Sequence, residues 1–511
     1  MYLTCGIILL VVIAAAATAL IFQKKLGRST MVILCVCAVV TVAAIAVLAV
    51  SIIGAQKDQD DHTLSGSKSP VPTATTDTAQ PNTEENRKMD MIMWYDIDTS
   101  PSTNDRPDRG WWYLNPQHPN TVQTDGNFRT TTPLLGLYDQ KRSTTARQHL
   151  YWIAALGCNA LTADWTNYTS YRFAAESGWR KYTSGVYNNT EVLLRTAAET
   201  TDFAAPATYI TVRLQGTNYD GLKQVLDDVY TLYQAYPSAY YKFADGTAQA
   251  DKPFVVIFAD KSVLTELGKG VPFTDDRFNI RWSNGYLSDM TQQDQNGSKY
   301  LAEDLPVWLF VEAEENPEAG SGYYRSFYKK GQDGSVEQTI AWASLHRGGF
   351  SWDPMNRIID GKTTFERTIW DAARLQPKSI LINRFNYALA WRAEPQEGLS
   401  LYESTHIEPN EDFGFFIFDN VRENLYLLNH WERKAPGTPN TVLYEDGAIK
   451  FSLEGYPTEY RISASADMAD AQWVYLNIND WAVVSNELEE DTLYLQLRSG
   501  FGESEPITVS R

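Results

Sequence analysis

Between residues 89 and 435, short apolar runs alternate with stretches of helical spacing. The runs are Pro133–Asp139, Asn159–Trp165, Thr208–Leu214, Pro253–Asp260 and Ser379–Asn386, with weaker ones at Phe278–Trp282, Pro306–Glu312 and Gly348–Trp352. Thr144–Leu156, Leu222–Tyr233 and Phe413–Trp431 carry the helical spacing. Strands that are apolar at every position, rather than at every second one, have both faces covered, and this is the pattern of a parallel sheet under helices. Seven or eight such units in 89–435 predict a (β/α)8 barrel of the TIM type. A doubly wound sheet is the alternative, but no Gly-rich phosphate loop follows any strand, as that fold's nucleotide site requires.

After Pro436-Gly437-Thr438-Pro439 the pattern changes. Val442–Tyr444, Ile449–Leu453, Glu459–Ser463, Gln472–Ile478, Trp481–Val484, Thr492–Leu497 and Pro506–Val509 are short and rich in β-branched and aromatic residues. Such spacing over 436–511 predicts a small all-β sandwich of the immunoglobulin or fibronectin kind. Trp473 and Trp481 are either core residues or sugar-facing ones.

Residues 1–56 hold no Asp or Glu and contain two long apolar runs, Cys5–Phe22 and Met31–Ile53. Each is close to the roughly 20 residues that cross a bilayer. Lys24, Lys25 and Arg28 lie between them and assign that loop to the cytoplasm. The expectation is a two-helix membrane anchor with everything after it extracytoplasmic. A cleaved signal sequence is the alternative reading of the second run, and it exports the same remainder. Residues 57–88, rich in Ser, Thr, Pro and charge, read as a disordered linker.

The chain of 511 residues carries 44 Lys+Arg against 63 Asp+Glu, a net charge of −19. That balance argues against a nucleic-acid partner, which needs a basic surface to displace counterions. Of four cysteines, Cys5, Cys35 and Cys37 fall in the apolar region, so Cys158 is left alone and no disulfide scaffold forms. The six His show no His-Glu-x-x-His spacing, and no metal or cofactor is expected. There is no Gly-x-Ser-x-Gly elbow.

In a barrel the chemistry sits where strands end. The polar and aromatic residues there are Tyr138 and Asp139, Asp164 with Trp165, Asp260, Trp282, Glu312 with Glu314 and Glu315, Trp352 with Asp353, and Asn383 with Asn386. Carboxyl groups interleaved with aromatic rings suit a sugar: the rings offer apolar faces, and two carboxyls serve as acid and base or nucleophile. The plainer reading of each one is a loop cap or a core residue.

Gly361-Lys-Thr-Thr-Phe-Glu-Arg-Thr-Ile-Trp370, continuing through Pro377 to Asn386, resembles the final helix–strand unit of glycoside hydrolase families 71 and 99. His406-Ile407-Glu408-Pro409 resembles the segment that follows it, and Pro133–Trp165 looks like the first two units. The resemblance covers most of 130–431 and implies a glycoside-hydrolase-like barrel. Members usually end the last strand Asn-Glu-Trp-x-Glu-Gly, then Ile-Glu-Pro, and in family 99 the two Glu are the reacting carboxylates. Asn386 matches the motif Asn, but Tyr387 stands where the first Glu belongs. Glu397-Gly398 matches the second Glu-Gly across an insertion, or Glu394 and Glu397 restore the spacing in a shifted register. A phenol ionises near pH 10 and is no carboxylate base at neutral pH, although some glycosidases use a Tyr nucleophile.

Two readings follow. In one, this is an anchored glycoside hydrolase with Glu397 or Glu394 paired with Asp164 or Glu312, and Tyr387 as the unusual member. In the other it is an inactive barrel that binds carbohydrate through Trp165, Trp282, Trp308 and Trp352, with Tyr138, Asp139, Asn383 and Asn386 around them. A purely structural surface protein is the third possibility.

Overall fold

The computed structural model describes residues 89–97, 128–129, 132–136, 138–168, 177–259, 273–284, 307–309, 314–315, 324–325, 335–343, 345–347, 351–353, 361–386, 389–390, 407–411, 413–436, 442–445, 447–480, 482–483 and 490–510. The apolar runs and the linker of 1–88 lie outside them. Among the described residues no helix is long and apolar enough to cross a membrane.

Eight strands make one sheet: β1 Asp90–Tyr95, β2 Ala160–Asp164, β3 Ala207–Leu214, β4 Phe254–Ala259, β5 Asn279–Asn284, β6 Val307–Leu309, β7 Gln338–Trp342 and β8 Ser379–Asn383. Their order is β7-β8-β1-β2-β3-β4-β5-β6, and every ladder is parallel. The two edges, β6 and β7, are consecutive in the chain. Tyr209 on β3 and Trp308 on β6 are three strands apart, about 14 Å in a flat sheet at about 4.8 Å per strand. Their ring centroids are 6.4 Å apart. The sheet therefore curls until its inner side chains meet, giving a TIM-like α/β fold.

Helices α1 Ser143–Ala155, α2 Ser177–Glu199, α3 Tyr219–Ala235, α4 Thr364–Ala373 and α5 Phe416–Leu428 accompany the strands. Their starts are written locally. Asn218 accepts from Gly221 N at 3.0 Å ahead of α3. Thr363 and Glu366 form a reciprocal capping box at α4, the Thr-x-x-Glu pattern answering two orphan N–H groups. Outward strand positions reach the helices: Thr339 Oγ1 donates to Ala372 O on α4 at 3.3 Å.

Most predicted strands contain an observed one, and two differ. In place of a strand over Pro133–Asp139, Pro133–Gly136 is a turn, closed by Gly136 N donating to Pro133 O, with Gly136 at φ 68°. The strand expected there is β1, whose run Met91–Tyr95 is wholly buried. Likewise β7 is Gln338–Trp342, not Gly348–Trp352; Ser351–Asp353 pairs antiparallel with Leu345–Arg347 outside the sheet. Its Gln338 and Thr339 look like loop residues, yet both are buried.

No ladder joins β6 to β7 among the described residues; side chains do. Trp308 Nε1 donates to Glu337 Oε2 at 3.0 Å, one residue before β7. Arg281 on β5 donates to both Glu337 oxygens, at 2.7 and 3.0 Å, to Asp245 at 2.8 Å and to Asn279 at 2.7 Å. Burial pushes the Asp245 carboxyl up, but bonds from Thr247, Arg281 and Asn279 outweigh it and hold it at about 2.

The C-terminal residues form two antiparallel sheets. In chain order the strands are β9 Val442–Glu445, β10 Ala448–Phe451, β11 Glu459–Ser463, β12 Val474–Tyr475, β13 Ala482–Val483, β14 Thr492–Ser499, β15 Gly502–Glu503 and β16 Ile507–Ser510. One sheet is β9-β10-β13; the other is β12-β11-β14-β15 with β16 on β14. Each predicted segment contains a strand, and β15 is the added one. These sheets dock on α1: Tyr151 donates to Pro457 O at 2.7 Å, and Ile478 N donates to Gln148 Oε1 at 2.7 Å. Covered on both sides, α1 is buried at most positions, its Gln148 and His149 included.

Gly157 ends the turn after α1 at φ 92°, and a Cβ there would lie 2.3 Å from Trp431 Cζ3. Gly157→Ala is expected to lower stability by about 2 kcal/mol or more, since it combines left-handed strain with a clash against a packed ring. Chemical denaturation measures this; a change within about 0.5 kcal/mol would show that the ring moves freely.

Candidate active site at the C-terminal end of the sheet

The last ladder pair between β1 and β2 is Tyr95↔Ala163. One position on, Asp96 and Asp164 come side by side on the inner face. Asp96 is buried and Asp164 partly exposed. The Asp96 backbone is clamped, with Asp96 N donating to Asn386 Oδ1 and Asn386 Nδ2 donating to Asp96 O, both at 2.9 Å. Gln140 Nε2 donates to the same carbonyl at 2.6 Å. Arg384, one residue past β8, holds Nη1 at 4.0 Å from Asp96 Oδ1 and its guanidinium 6.0 Å from the Trp94 ring. Asp164 Oδ1 accepts from Thr166 N at 2.8 Å and Thr166 Oγ1 at 2.7 Å, capping the turn after β2. Arg213 near the end of β3 lies 5.2 Å over the Phe258 ring of β4. Two carboxyls and two guanidinium groups thus stand on one rim, above Trp94 and Trp342.

Beneath the rim runs a buried polar chain. Tyr138 Oη donates to Glu408 Oε2 at 3.1 Å. His149 Nε2 lies 3.0 Å from Glu408 Oε1, and His149 Nδ1 lies 2.8 Å from Tyr95 Oη. Burial drives the Tyr95 phenol far above its usual range, with Glu408 and Asp96 adding to the rise and a bond from Gln140 opposing it. Tyr95 therefore stays protonated, and its hydroxyl and the Glu408 carboxyl hold the two ring nitrogens of His149 between them. The chain ties α1 and the segment beyond β8 to the residue preceding Asp96.

The expected site residues scatter. Asp164 and Asn383 stand at strand ends, and Asn383 is buried. Asn386 holds the Asp96 backbone and Tyr138 holds Glu408, so both act below the rim. Asp139 caps Lys141 N at 3.2 Å and pairs with Lys141 Nζ at 3.0 Å. Trp165 is fully buried and turned outward, donating to Thr190 Oγ1 on α2 at 2.8 Å. Trp282 is buried at 6.0 Å from Phe273. Trp308 is buried in the inner layer, 4.6 Å from Phe254. These three rings leave no face open for a sugar, because the packing that forms the core uses both faces. Glu312, Tyr387, Glu394, Glu397 and Asp260 lie outside the described residues, as does the side chain of Trp352. Trp473 has Arg461 at 4.6 Å and Arg498 at 4.4 Å from its ring centre.

Asp96, Arg213, Arg384 and His149 were not among the expected residues. The signal for Asp96 was present: an apolar run ending in Asp, as in β2. Cys158 is buried, and burial pushes its thiol far up, so it is no nucleophile. Among the described residues no group of three or more His, Cys, Asp or Glu is placed to hold a metal.

No family model matches the chain. No curated protein matches it. Solved structures similar to it include the GH99 endo-alpha-mannosidase of Bacteroides thetaiotaomicron in complex with BIS-TRIS-propane. It is 12% identical, the match covers 66% of this chain and 96% of that one, and the TM-score is 0.40. A second structure of that enzyme has 12% identity, the same coverage and a TM-score of 0.39. A glycoside hydrolase-like protein is 13% identical over 71% of this chain and 97% of its own, with a TM-score of 0.35.

Proposed function

We propose that this protein engages a glycan at the C-terminal end of the parallel sheet and hydrolyses it, with Asp96 and Asp164 as the two carboxyl groups. The observation that carries this reading is that β1 and β2 are paired through Tyr95↔Ala163 and each is followed or ended by an Asp one position on, Asp96 and Asp164. Two carboxyls at neighbouring strand ends are what glycoside hydrolysis needs. Asp96 is buried near Arg384, and Asp164 is partly exposed and bonded by Thr166; two carboxyls in unlike surroundings are what separate acid and nucleophile roles require. Arg213 and Arg384 would donate to ring hydroxyls. Glu397 or Glu394, paired with Asp164 or Glu312, is the rival arrangement. We further propose that the apolar runs of 1–56 anchor the chain, that the barrel is extracytoplasmic, and that the C-terminal sheets are an immunoglobulin-like spacer.

The test incubates the full chain with a mannan and glucan panel and measures reducing ends and binding separately. Asp96→Asn and Asp164→Asn are each expected to cut turnover by about 100-fold or more while binding stays within a few-fold. Turnover that survives both but disappears in Glu397→Gln would transfer the chemistry to the rival pair. A second reading, glycan binding without hydrolysis, is favoured by the Thr166 bonds on Asp164 and by Tyr387 in place of the motif Glu. It predicts saturable binding with no reducing ends released.

A further inference from the structure

A cleft of about 660 Å³ opens between the first turn of α5 and the β14–β15 hairpin. We propose that this cleft is a second binding site, for a neutral, hydroxyl-rich ligand: a sugar residue of an oligosaccharide. The proposal stands on the cleft alone and not on the reading of the mouth.

Three observations carry it. First, Phe416 lines the cleft and is 54% exposed, while Phe415, Ile417 and Phe418 beside it are buried. Tyr475 lines it too. An aromatic ring left open on a concave wall offers its face to the C–H groups of a pyranose, a contact that water does not replace. Second, the Asp419 carboxyl is pressed against the Gly500 backbone, where a Cβ would lie 2.4 Å from Asp419 Cγ. Its Oδ1 is enclosed and accepts no hydrogen bond. Burial, helped by Glu459, pushes this carboxyl up to about 6 against the opposing pull of Arg422, a bond from the Gly500 backbone and Arg498. Asp419 still lines the cleft, where a carboxyl can answer a ligand hydroxyl. Third, the wall is rich in acceptors. Its charged lining is Asp419, Glu459, Glu503 and Arg498; Arg498 is bidentate on Glu459 at 2.6 and 2.7 Å, and Glu503 is exposed with Arg461 at 3.9 Å behind it. Carboxylate acceptors beside an open aromatic ring suit the donors of sugar hydroxyls.

Isothermal calorimetry on the full chain tests this with mannotriose, cellotriose, maltotriose and laminaritriose, and with tetramethylammonium and inorganic phosphate as charged probes. At least one trisaccharide is expected to bind an Asp164→Asn protein, which is slow to hydrolyse it, and the share of that binding owed to the cleft is read from the two variants that follow. Phe416→Ala should weaken that binding about tenfold, and Glu503→Gln should weaken it several-fold, with both variants melting as the parent does. Both side chains are exposed, so neither change threatens the fold. The proposal is overturned if no trisaccharide binds, if binding is indifferent to Phe416→Ala and Glu503→Gln, or if only a charged probe binds.

Discussion

A Glu408→Ala variant is expected to unfold about 3–5 kcal/mol more easily than the parent. Glu408 is fully buried, and its two oxygens answer Tyr138 at 3.1 Å and His149 at 3.0 Å. Removing the carboxylate strands a phenol and an imidazole N–H in a site that water does not enter, and each then bears its desolvation penalty in full. Glu408→Gln separates the polar from the steric part. The amide keeps the volume but offers one acceptor oxygen where two donors converge, so its loss should be about 1–3 kcal/mol. Denaturant titration measures both, and a lower midpoint at unchanged slope is the expected form. If both variants stay within about 0.5 kcal/mol of the parent, the chain from Tyr138 to Tyr95 is not a structural tie. Because Tyr95 precedes Asp96, this variant also bears on the mouth: turnover should fall through misplacement of Asp96, whereas Asp96→Asn should leave the unfolding midpoint nearly unchanged.

The second large effect lies at the opposite end of the sheet. Arg281→Met is expected to destabilise by about 3–5 kcal/mol at neutral pH, the usual result of removing one partner from a buried ionic cluster. Arg281 is buried and serves Asp245 and Glu337 at once. Without it both acids face each other, and the seam between β5, β6 and the start of β7 loses its clasp. The pH dependence identifies the cause. Asp245 is held at about 2, below its ordinary 3.8, so the stability it lends is present above 3.8 and drains away as pH falls toward 2. The gap between parent and variant should therefore be widest near pH 7 and narrow between pH 4 and 2. A gap of equal size at pH 7 and pH 2 would point instead to the lost contact of the guanidinium with the Phe243 and Phe254 rings.

Both networks explain why some parts of the molecule were legible and others were not. β2, β3, β4 and β8 are nearly pure apolar runs bounded by turn residues, so they declare themselves over five to eight residues. The α4 capping box is equally local. β7 hid because its Gln338 and Thr339 are polar, and their burial depends on α4 and on neighbouring strands. Pro133–Asp139 misled for the converse reason: Leu134, Leu135 and Tyr138 are apolar for packing, but Pro133 and Gly136 turn the chain. Trp165, Trp282 and Trp308 follow or end apolar strands just as a sugar-binding ring would. The side of the pleat each occupies, and what covers it, separates a platform from a core residue.

Taken alone, the chain's order of residues determined the parallel α/β class, three of the five helices to within a few residues, and the change to antiparallel strands after residue 436. Each depends on spacing within a few residues. Only the tertiary structure decided which acids meet. Asp96 and Asn386 are 290 residues apart, His149 and Glu408 are 259 apart, and Asp419 reaches Gly500 across the groove beside α5. No local pattern encodes such pairs, because a contact between distant residues follows from the curl of the whole sheet and the register of every strand between them.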